Sequence, residues 1–313
     1  MSESTGDAEL LPLDEVQLAS PPPKIVLSPG VYTDVPASLY HYDPCGGAPV
    51  LSASIAKILV TECPLSAWAA HPLLGGGLHA VSEAMERGTI LDTLLAGGEA
   101  AFADLPYAEF RTNEAKAARD GAIAEGQIPM RKGQLDEWRE KANTIRGRFA
   151  ARGVVLSEYE TQVTLVWYET ATDGTPVLCK GRLDYLRGAD IADLKTSEDL
   201  SDRALANTIL KFGYHIQRAA YLSALGKLMP DMAGRHGFHF LFAEPTPAHA
   251  TRCVSLDGML CQLGRVEWQR AIDLWAQCLR TGQWPDYNDT EIVAPPWVGD
   301  RILAAGGSSA LPF

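Results

Sequence analysis

Two aspartates and a lysine carry the chemistry this sequence offers. They stand in Gly181-Arg-Leu-Asp184 and in Ile191-Ala-Asp193-Leu-Lys195-Thr-Ser. On adjacent antiparallel strands, two aspartates ending near one another can share a divalent cation, and hard oxygen ligands suit Mg2+ or Mn2+. Side chains alternate along a strand, so Asp193 and Lys195 face one way while Ala192 and Leu194 face the core. A metal and an ammonium then meet in one pocket. That set suits phosphodiester hydrolysis: the metal stabilises charge on the phosphate and leaving oxygen, and the lysine orients or deprotonates the attacking water. An isolated Asp-x-Lys triplet also describes a surface salt bridge at a strand end.

Downstream, Gln217 and Tyr221 lie four residues apart in His215-Ile-Gln217-Arg-Ala-Ala-Tyr221 and share one face of a helix, beside the apolar Ala219, Ala220, Leu222 and Leu225. Taken alone, that pair equally fits ordinary helix surface with a half-buried tyrosine. His215 precedes Gln217 on the same helix and is a candidate contact to the site. The remaining histidines, His41, His71, His79, His236, His239 and His249, show no metal-ligand spacing apart from the His236/His239 pair, which a strand would split between its faces. No phosphate-binding glycine loop ending in Gly-Lys-Ser/Thr is present, which argues against ATP hydrolysis, and no Gly-x-Ser-x-Gly elbow supports a serine nucleophile.

The elements that must position these residues can be read from periodicity. Thr161 to Trp167, Val177 to Leu186 and Asp190 to Lys195 read as a β-meander, turned by Asp173-Gly174 and Gly188. Ser201 to Met229 is expected to form one long helix closing at Pro230. His236 to Ala243 and Arg252 to Leu256 follow as a strand pair, and Asp257 to Thr281 as a last helix ended by Gly282. Upstream, helices are expected after Ser52 or Ser54, after Pro64, and from about Val81 to Leu95. Between Gln134 and Ala151, Leu135, Trp138, Ala142, Ile145 and Phe149 recur at helical steps, the signature of one buried face. The other faces carry Lys132, Arg139 and Arg146 at seven-residue spacing. That stripe is either a DNA contact, led by Arg139 and Arg146, or a solvated face paired with Asp136, Glu137 and Glu140.

With 313 residues, 46% hydrophobic and 21% charged, the chain can bury a full core without disulfides or structural metals. No run reaches the roughly eighteen apolar residues of a membrane span, and the acidic N-terminus lacks a secretory signal, so a cytoplasmic location without membrane contact is expected. The six cysteines contain no Cys-x-x-Cys pair, against a zinc ribbon or disulfide framework, and read as buried small hydrophobes. A net charge of −12 argues against a chain that coats nucleic acid everywhere. Five of the acids, Glu3, Asp7, Glu9, Asp14 and Glu15, fall in the first twenty residues without a basic neighbour. We therefore divide the chain into a disordered acidic tail (1–24), a single domain (25–290; mainly helical to 150, a catalytic core from 151), and a C-terminal tail (291–313).

The order Asp184, Asp193-x-Lys195, then Gln217-x-x-x-Tyr221 is more specific than any of its parts. Here the chain resembles the PD-(D/E)XK nuclease superfamily and, within it, the RecE-like (exonuclease VIII type) phage recombination exonucleases. The resemblance runs from about Gly30 to Tyr287. It includes Leu51-Ser-Ala-Ser-Ile-Ala-Lys-Ile-Leu, Cys63-Pro-Leu-Ser-Ala-Trp, Arg87-Gly-Thr-Ile-Leu-Asp92, Cys179-Lys-Gly-Arg-Leu-Asp184, Ala192-Asp-Leu-Lys-Thr-Ser197 and Gly213-Tyr-His-Ile-Gln-Arg-Ala-Ala-Tyr221. Phe238-His-Phe-Leu-Phe-Ala-Glu244 and Gly282-Gln-Trp-Pro-Asp-Tyr287 extend it.

The resemblance implies an α/β fold, a central mixed sheet flanked by helices with an N-terminal helical region. It implies a Mg2+- or Mn2+-dependent exonuclease that degrades linear double-stranded DNA from 5′ ends by two-metal hydrolysis, leaving 3′ single strands. Carried over, Asp184, Asp193 and the Leu194 carbonyl ligate metal, Lys195 activates water, and Gln217 with Tyr221 positions lysine, water or phosphate. The implied partners are DNA ends, a RecT-like single-strand annealing recombinase and further copies of the chain in a ring, in a bacterial host cell if the gene is a phage's.

Two positions depart from the family. Its Gly-Thr-x-x-His-x-x-Leu histidine is replaced by Asp92, which is either a hard-cation ligand or a helix-surface acid. Its first-strand glutamate has Glu158 and Glu160 as candidates, of which we name Glu160, although by register the slot falls on Gln162, whose strand parity Glu160 shares. The rival readings are a nuclease of the same fold that carries an iron-sulfur cluster or works with a helicase, and a catalytically silent protein that binds DNA ends.

Overall fold

The computed structural model describes residues 26–42, 44–77, 83–294 and 297–304. The expected acidic tail, His79, the start of the helix expected from Val81 and the end of the expected C-terminal tail lie outside the described residues. In chain order the elements are β1 (Gly30–Tyr32), α1 (Ala37–Tyr42), β2 (Leu51–Ser52), α2 (Ala53–Thr61), α3 (Pro64–Ala70), α4 (Glu83–Leu95), β3 (Phe102–Asp104), α5 (Asn113–Ala124), β4 (Ile128–Met130) and α6 (Gln134–Ala150). The second half runs β5 (Glu160–Thr170), β6 (Pro176–Arg187), β7 (Asp190–Thr196), α7 (Asp202–Phe212), α8 (Tyr214–Leu228), β8 (Gly237–Ala243), β9 (Thr251–Val254), α9 (Gly258–Thr281) and α10 (Trp297–Ala304).

The main sheet has the order β1-β5-β6-β7-β8-β9, with β2 also pairing β6. The expected meander is present, as β5 and β6 are antiparallel and so are β6 and β7. β7 and β8 then run parallel, because α7 and α8 carry the chain back across the sheet between them. Sheet and helices make a mixed α/β architecture, as expected. β5 occupies one edge of β6 over almost its full length. The other edge is shared: β2 pairs Cys179 and Lys180, β7 pairs Tyr185 to Arg187, and residues 181–184 between them pair with neither. That gap is where the aspartate of β6 lies.

Both faces of the sheet are covered. On one side Trp167, Leu183, Ile191, Phe240 and Phe242 pack against α2, α8 and α9 through Ile55, Ile216, Ala220, Trp268 and Trp275. On the other, Tyr185, Ala192, Leu194 and Leu241 pack against α4 and α6 through Leu91, Leu94, Trp138, Ile145 and Phe149. The buried stripe expected on α6 is therefore what docks it. One helix was expected from Ser201 to Met229; Gly213 divides it. Its φ of +70° ends α7 in the left-handed conformation, and a Cβ there would come 2.7 Å from Lys57 Cγ, so only glycine fits against α2.

Strict alternation fails at one place. Leu183 joins the α8/α9 core, yet Tyr185, two residues on, joins the α4/α6 core. Across the ladder, Thr161 pairs Tyr185 and Val163 pairs Leu183, and between them Gln162 has a φ of +56°. This left-handed residue, which is not glycine, re-aims both strands at the level of Asp184.

Candidate active site

The register of β6 and β7, continued one step, sets Asp184 opposite Asp193, and there the ladder gives way. Instead of a backbone partner, the Leu194 amide donates to Asp184 Oδ2 at 2.8 Å. The two strands splay and a cleft of about 560 Å3 opens over Asp184, lined also by Gln162, Lys180, Arg182, Tyr221, Ser52 and Tyr40. Asp193 lies behind it, 0% exposed. Its Oδ1 accepts from Gln217 Nε2 at 2.8 Å and its Oδ2 pairs with the Lys195 ammonium, whose side chain is 16% exposed. Alternation along β7 holds: Asp193 and Lys195 share a face while Ala192 and Leu194 enter the opposite core.

Helix α8 supplies two side chains from one face. Gln217 fixes Asp193, and the Tyr221 hydroxyl donates to the Arg182 carbonyl at 3.1 Å on the unpaired stretch of β6. Gly181 makes room for that ring, since a Cβ at this position would lie 2.6 Å from Tyr221 Cε1. The Lys195 ammonium lies 4.9 Å above the Tyr214 ring, which stacks in turn on Phe240.

Asp92 arrives from α4 on the far side of the sheet. Gln162 Nε2 donates to its Oδ2 at 2.8 Å, and its Oδ1 is buried without a hydrogen-bond partner. Gln162 is held by Arg182, whose Nε donates to Gln162 Oε1 at 2.7 Å while Nη1 donates to the Val35 carbonyl at 2.8 Å.

Three acids so close together are electrostatically costly. Burial, then the Asp193 carboxylate, pushes Asp92 up to about 6, against the pull of Lys195 and Gln162. Burial raises Asp184 well above the usual carboxylate range, with Asp193 and Asp92 adding to it. Asp193 is raised by burial against the opposing pull of Lys195 and Gln217. Burial acts to strip the proton from Lys195, but the Asp193 and Asp184 carboxylates outweigh it and hold its pKa above that of free lysine.

Among the described residues, no three His, Cys, Asp or Glu side chains stand around one point at ligating distance. The donor set fits a hard cation nonetheless. Asp92 Oδ1 is a buried oxygen without a partner, the Asp193 and Asp92 carboxylates lie close enough to raise Asp184, and every donor is oxygen.

The structure thus brings Asp184, Asp193, Lys195, Gln217, Tyr221 and Asp92 into one place. It sets the others elsewhere. Glu160 is exposed at the start of β5, and the side chain that reaches the acids from this strand is Gln162. The parity that grouped Glu160 with Gln162 is broken by the left-handed backbone at Gln162 itself. His215 is 2% exposed and points away from the acids, with Nε2 2.7 Å from Glu267 Oε2 and Nδ1 3.3 Å from the Ile209 carbonyl. Arg139 is paired with Glu99 and Asp136, as on a solvated face, and Arg146 reaches Asn143 and the Leu94 carbonyl. His71 is buried, with Nε2 3.2 Å from the Val50 carbonyl. Of the cysteines, Cys253 is exposed and Cys261 partly so, while the other four are buried.

Sequence reasoning missed Lys180, Arg182, Tyr40 and Tyr214. Lys180 and Arg182 had a signal: they stand four and two residues before Asp184, which places them on its face of an extended strand. Tyr40 had none, because α1 reaches the cleft by tertiary packing alone.

A mixed sheet that presents Asp184 and the Asp193-x-Lys195 pair to a helix bearing Gln217 and Tyr221 defines a PDDEXK-like domain. Residues 54–293 match the family described as a PDDEXK-like domain of unknown function (DUF3799), and the chain belongs to that family. Proteins of this class generally use divalent metal ions. Among solved structures, a candidate exonuclease from Eubacterium rectale superposes with a TM-score of 0.52 at 16% identity, covering 87% of this chain and 99% of that one, a likeness of fold. A second structure, SSO0001, gives a TM-score of 0.24 at 12% identity over 57% of this chain and 84% of its own, and carries no argument. No curated protein matches the chain. Among the described residues, no helix is long and apolar enough to cross a membrane.

Proposed function

We propose that the protein is a metal-dependent exonuclease that degrades linear double-stranded DNA from its 5′ ends and leaves 3′ single strands for recombination. The observation that carries this reading is the convergence of Asp92, Asp184 and Asp193 with the half-buried Lys195 at the gap in the sheet. Asp92, Asp184, Asp193 and the Leu194 carbonyl would hold Mg2+ or Mn2+. Such a cation, when bound, stabilises negative charge on the scissile phosphate and on the leaving oxygen.

The chain's own residues do the rest. Lys195, paired with Asp193, would donate to the attacking water or a phosphate oxygen and orient it, and Gln217 keeps Asp193 from turning away. Lys180 and Arg182 line the same cleft as Asp184 and meet the phosphates flanking the scissile bond. A RecT-like annealing recombinase as partner, a ring of identical subunits, and the cytoplasm of a bacterial host belong to the same proposal, by resemblance to the recombination exonucleases.

Digestion of duplex labelled at either the 5′ or the 3′ end, linear or covalently closed, tests it. The expected result in Mg2+ is release of the 5′ label first, with closed circles intact. Equal cutting of closed circles would make the protein an endonuclease, and early release of the 3′ label would reverse the polarity.

A further inference from the structure

We propose that Gln162 and Arg182 are positioning residues for metal binding, which together turn the Asp92 carboxylate so that Oδ1 faces the cation. The inference deepens the nuclease reading and rests on it. Asp92 comes from α4, in a different layer from the strands that carry Asp184 and Asp193, so the sheet must reach out to it. Gln162 is that reach. Its Nε2 donates to Asp92 Oδ2 at 2.8 Å and leaves Oδ1 buried without a partner.

The orientation of the amide is set from behind. Arg182 Nε donates to Gln162 Oε1 at 2.7 Å, so a flipped amide would oppose N–H to N–H at one end and oxygen to oxygen at the other. Arg182 is itself anchored, with Nη1 donating to the Val35 carbonyl at 2.8 Å and the guanidinium 5.7 Å from the Tyr40 ring. A glutamate at 162 would accept from Arg182 but repel Asp92, whereas an amide accepts from one and donates to the other. The backbone agrees: Gln162 holds a φ of +56°, a region that residues other than glycine enter at a cost. What that conformation gains is simultaneous contact with Arg182 and Asp92. The acid expected on the first strand has in effect moved to α4, and Gln162 ties it to the sheet.

Calorimetric titration with Mn2+ alone, without DNA, tests the inference. Gln162→Met keeps the length and loses the donor. Gln162→Gly loses the donor and relaxes the backbone, so it folds even if the first variant does not. Both variants are expected to bind Mn2+ about tenfold more weakly or worse, the usual cost of losing a partner that orients a ligand. The metal-free Gln162→Gly protein should unfold at the wild-type temperature, a result that separates positioning from structural support. Gln162→Gly combined with Asp92→Asn should bind no more weakly than Asp92→Asn alone, because both changes remove one interaction. Wild-type Mn2+ affinity in both Gln162 variants, or fully additive losses, overturns the inference. Failure of the wild-type protein to bind Mn2+ sinks the nuclease reading and the inference together. Binding that depends on Gln162 while DNA stays uncut supports the inference and sinks the nuclease reading alone.

Discussion

Asp193 and Lys195 illustrate how little of a site lies in its residue types and how much in their surroundings. A buried carboxylate and an ammonium two residues apart could be a plain salt bridge, but Asp184 and Asp92 stand beside them, and burial raises all three acids. The same reasoning separates the cations. Lys180 lines the Asp184 cleft, with its ammonium donating to the Tyr40 carbonyl at 2.7 Å, whereas Arg139 is spent on Glu99 and Asp136 outside it. Lys180→Met is therefore expected to weaken duplex binding, measured with Ca2+ in place of Mg2+, and to lower the salt slope by about 1, while Arg139→Ala leaves both unchanged. Equal losses from the two substitutions would move the DNA path to α6. Asp184, Asp193 and Lys195 were legible because alternation and register alone bring them together. Gln162 could be placed on the right strand but not aimed, because a left-handed residue other than glycine breaks the alternation on which the aim depends.

At the scale of elements, β6 does the positioning. It is paired by β2 at one end and β7 at the other, and the unpaired stretch between them frees Asp184 to face a cleft instead of a neighbouring strand. Gly181 lets α8 lie close enough for Tyr221 to reach the Arg182 carbonyl. Gly181→Ala is expected to push the Tyr221 ring off the strand and to cost about 1–3 kcal/mol, the usual price of overpacking. Chemical denaturation checks this, and an unchanged midpoint would show that α8 shifts freely. The meander, α6 and α9 were readable from period and caps, since long elements repeat their pattern many times. β2, β3 and β4 were not, because two or three residues carry no period, and α5 passed unread with only Ala115 and Ala122 buried in it. The split between α7 and α8 rests on the left-handed backbone of Gly213, at a place where a side chain would run into Lys57.

Taken whole, the molecule puts its chemistry in a crease between two cores. On the proposed function, a net charge of −12 disfavours clinging along the whole surface and leaves recognition to the cleft lined by Lys180 and Arg182. The fold class was legible because strand and helix patterns alternate along the chain. How the layers meet was not, since Asp92 crosses from the α4 layer to join acids on the sheet. The central claim is that these acids and Lys195 form one hydrolytic centre, and Mg2+-started digestion of linear duplex tests it most directly. Wild-type protein should degrade the DNA with Mg2+ and not with EDTA. Lys195→Ala, shown to bind the same duplex in Ca2+, should be slower by about 10²–10³-fold. Wild-type protein that leaves the duplex intact in Mg2+, or Lys195→Ala that digests it at the wild-type rate, would contradict the account.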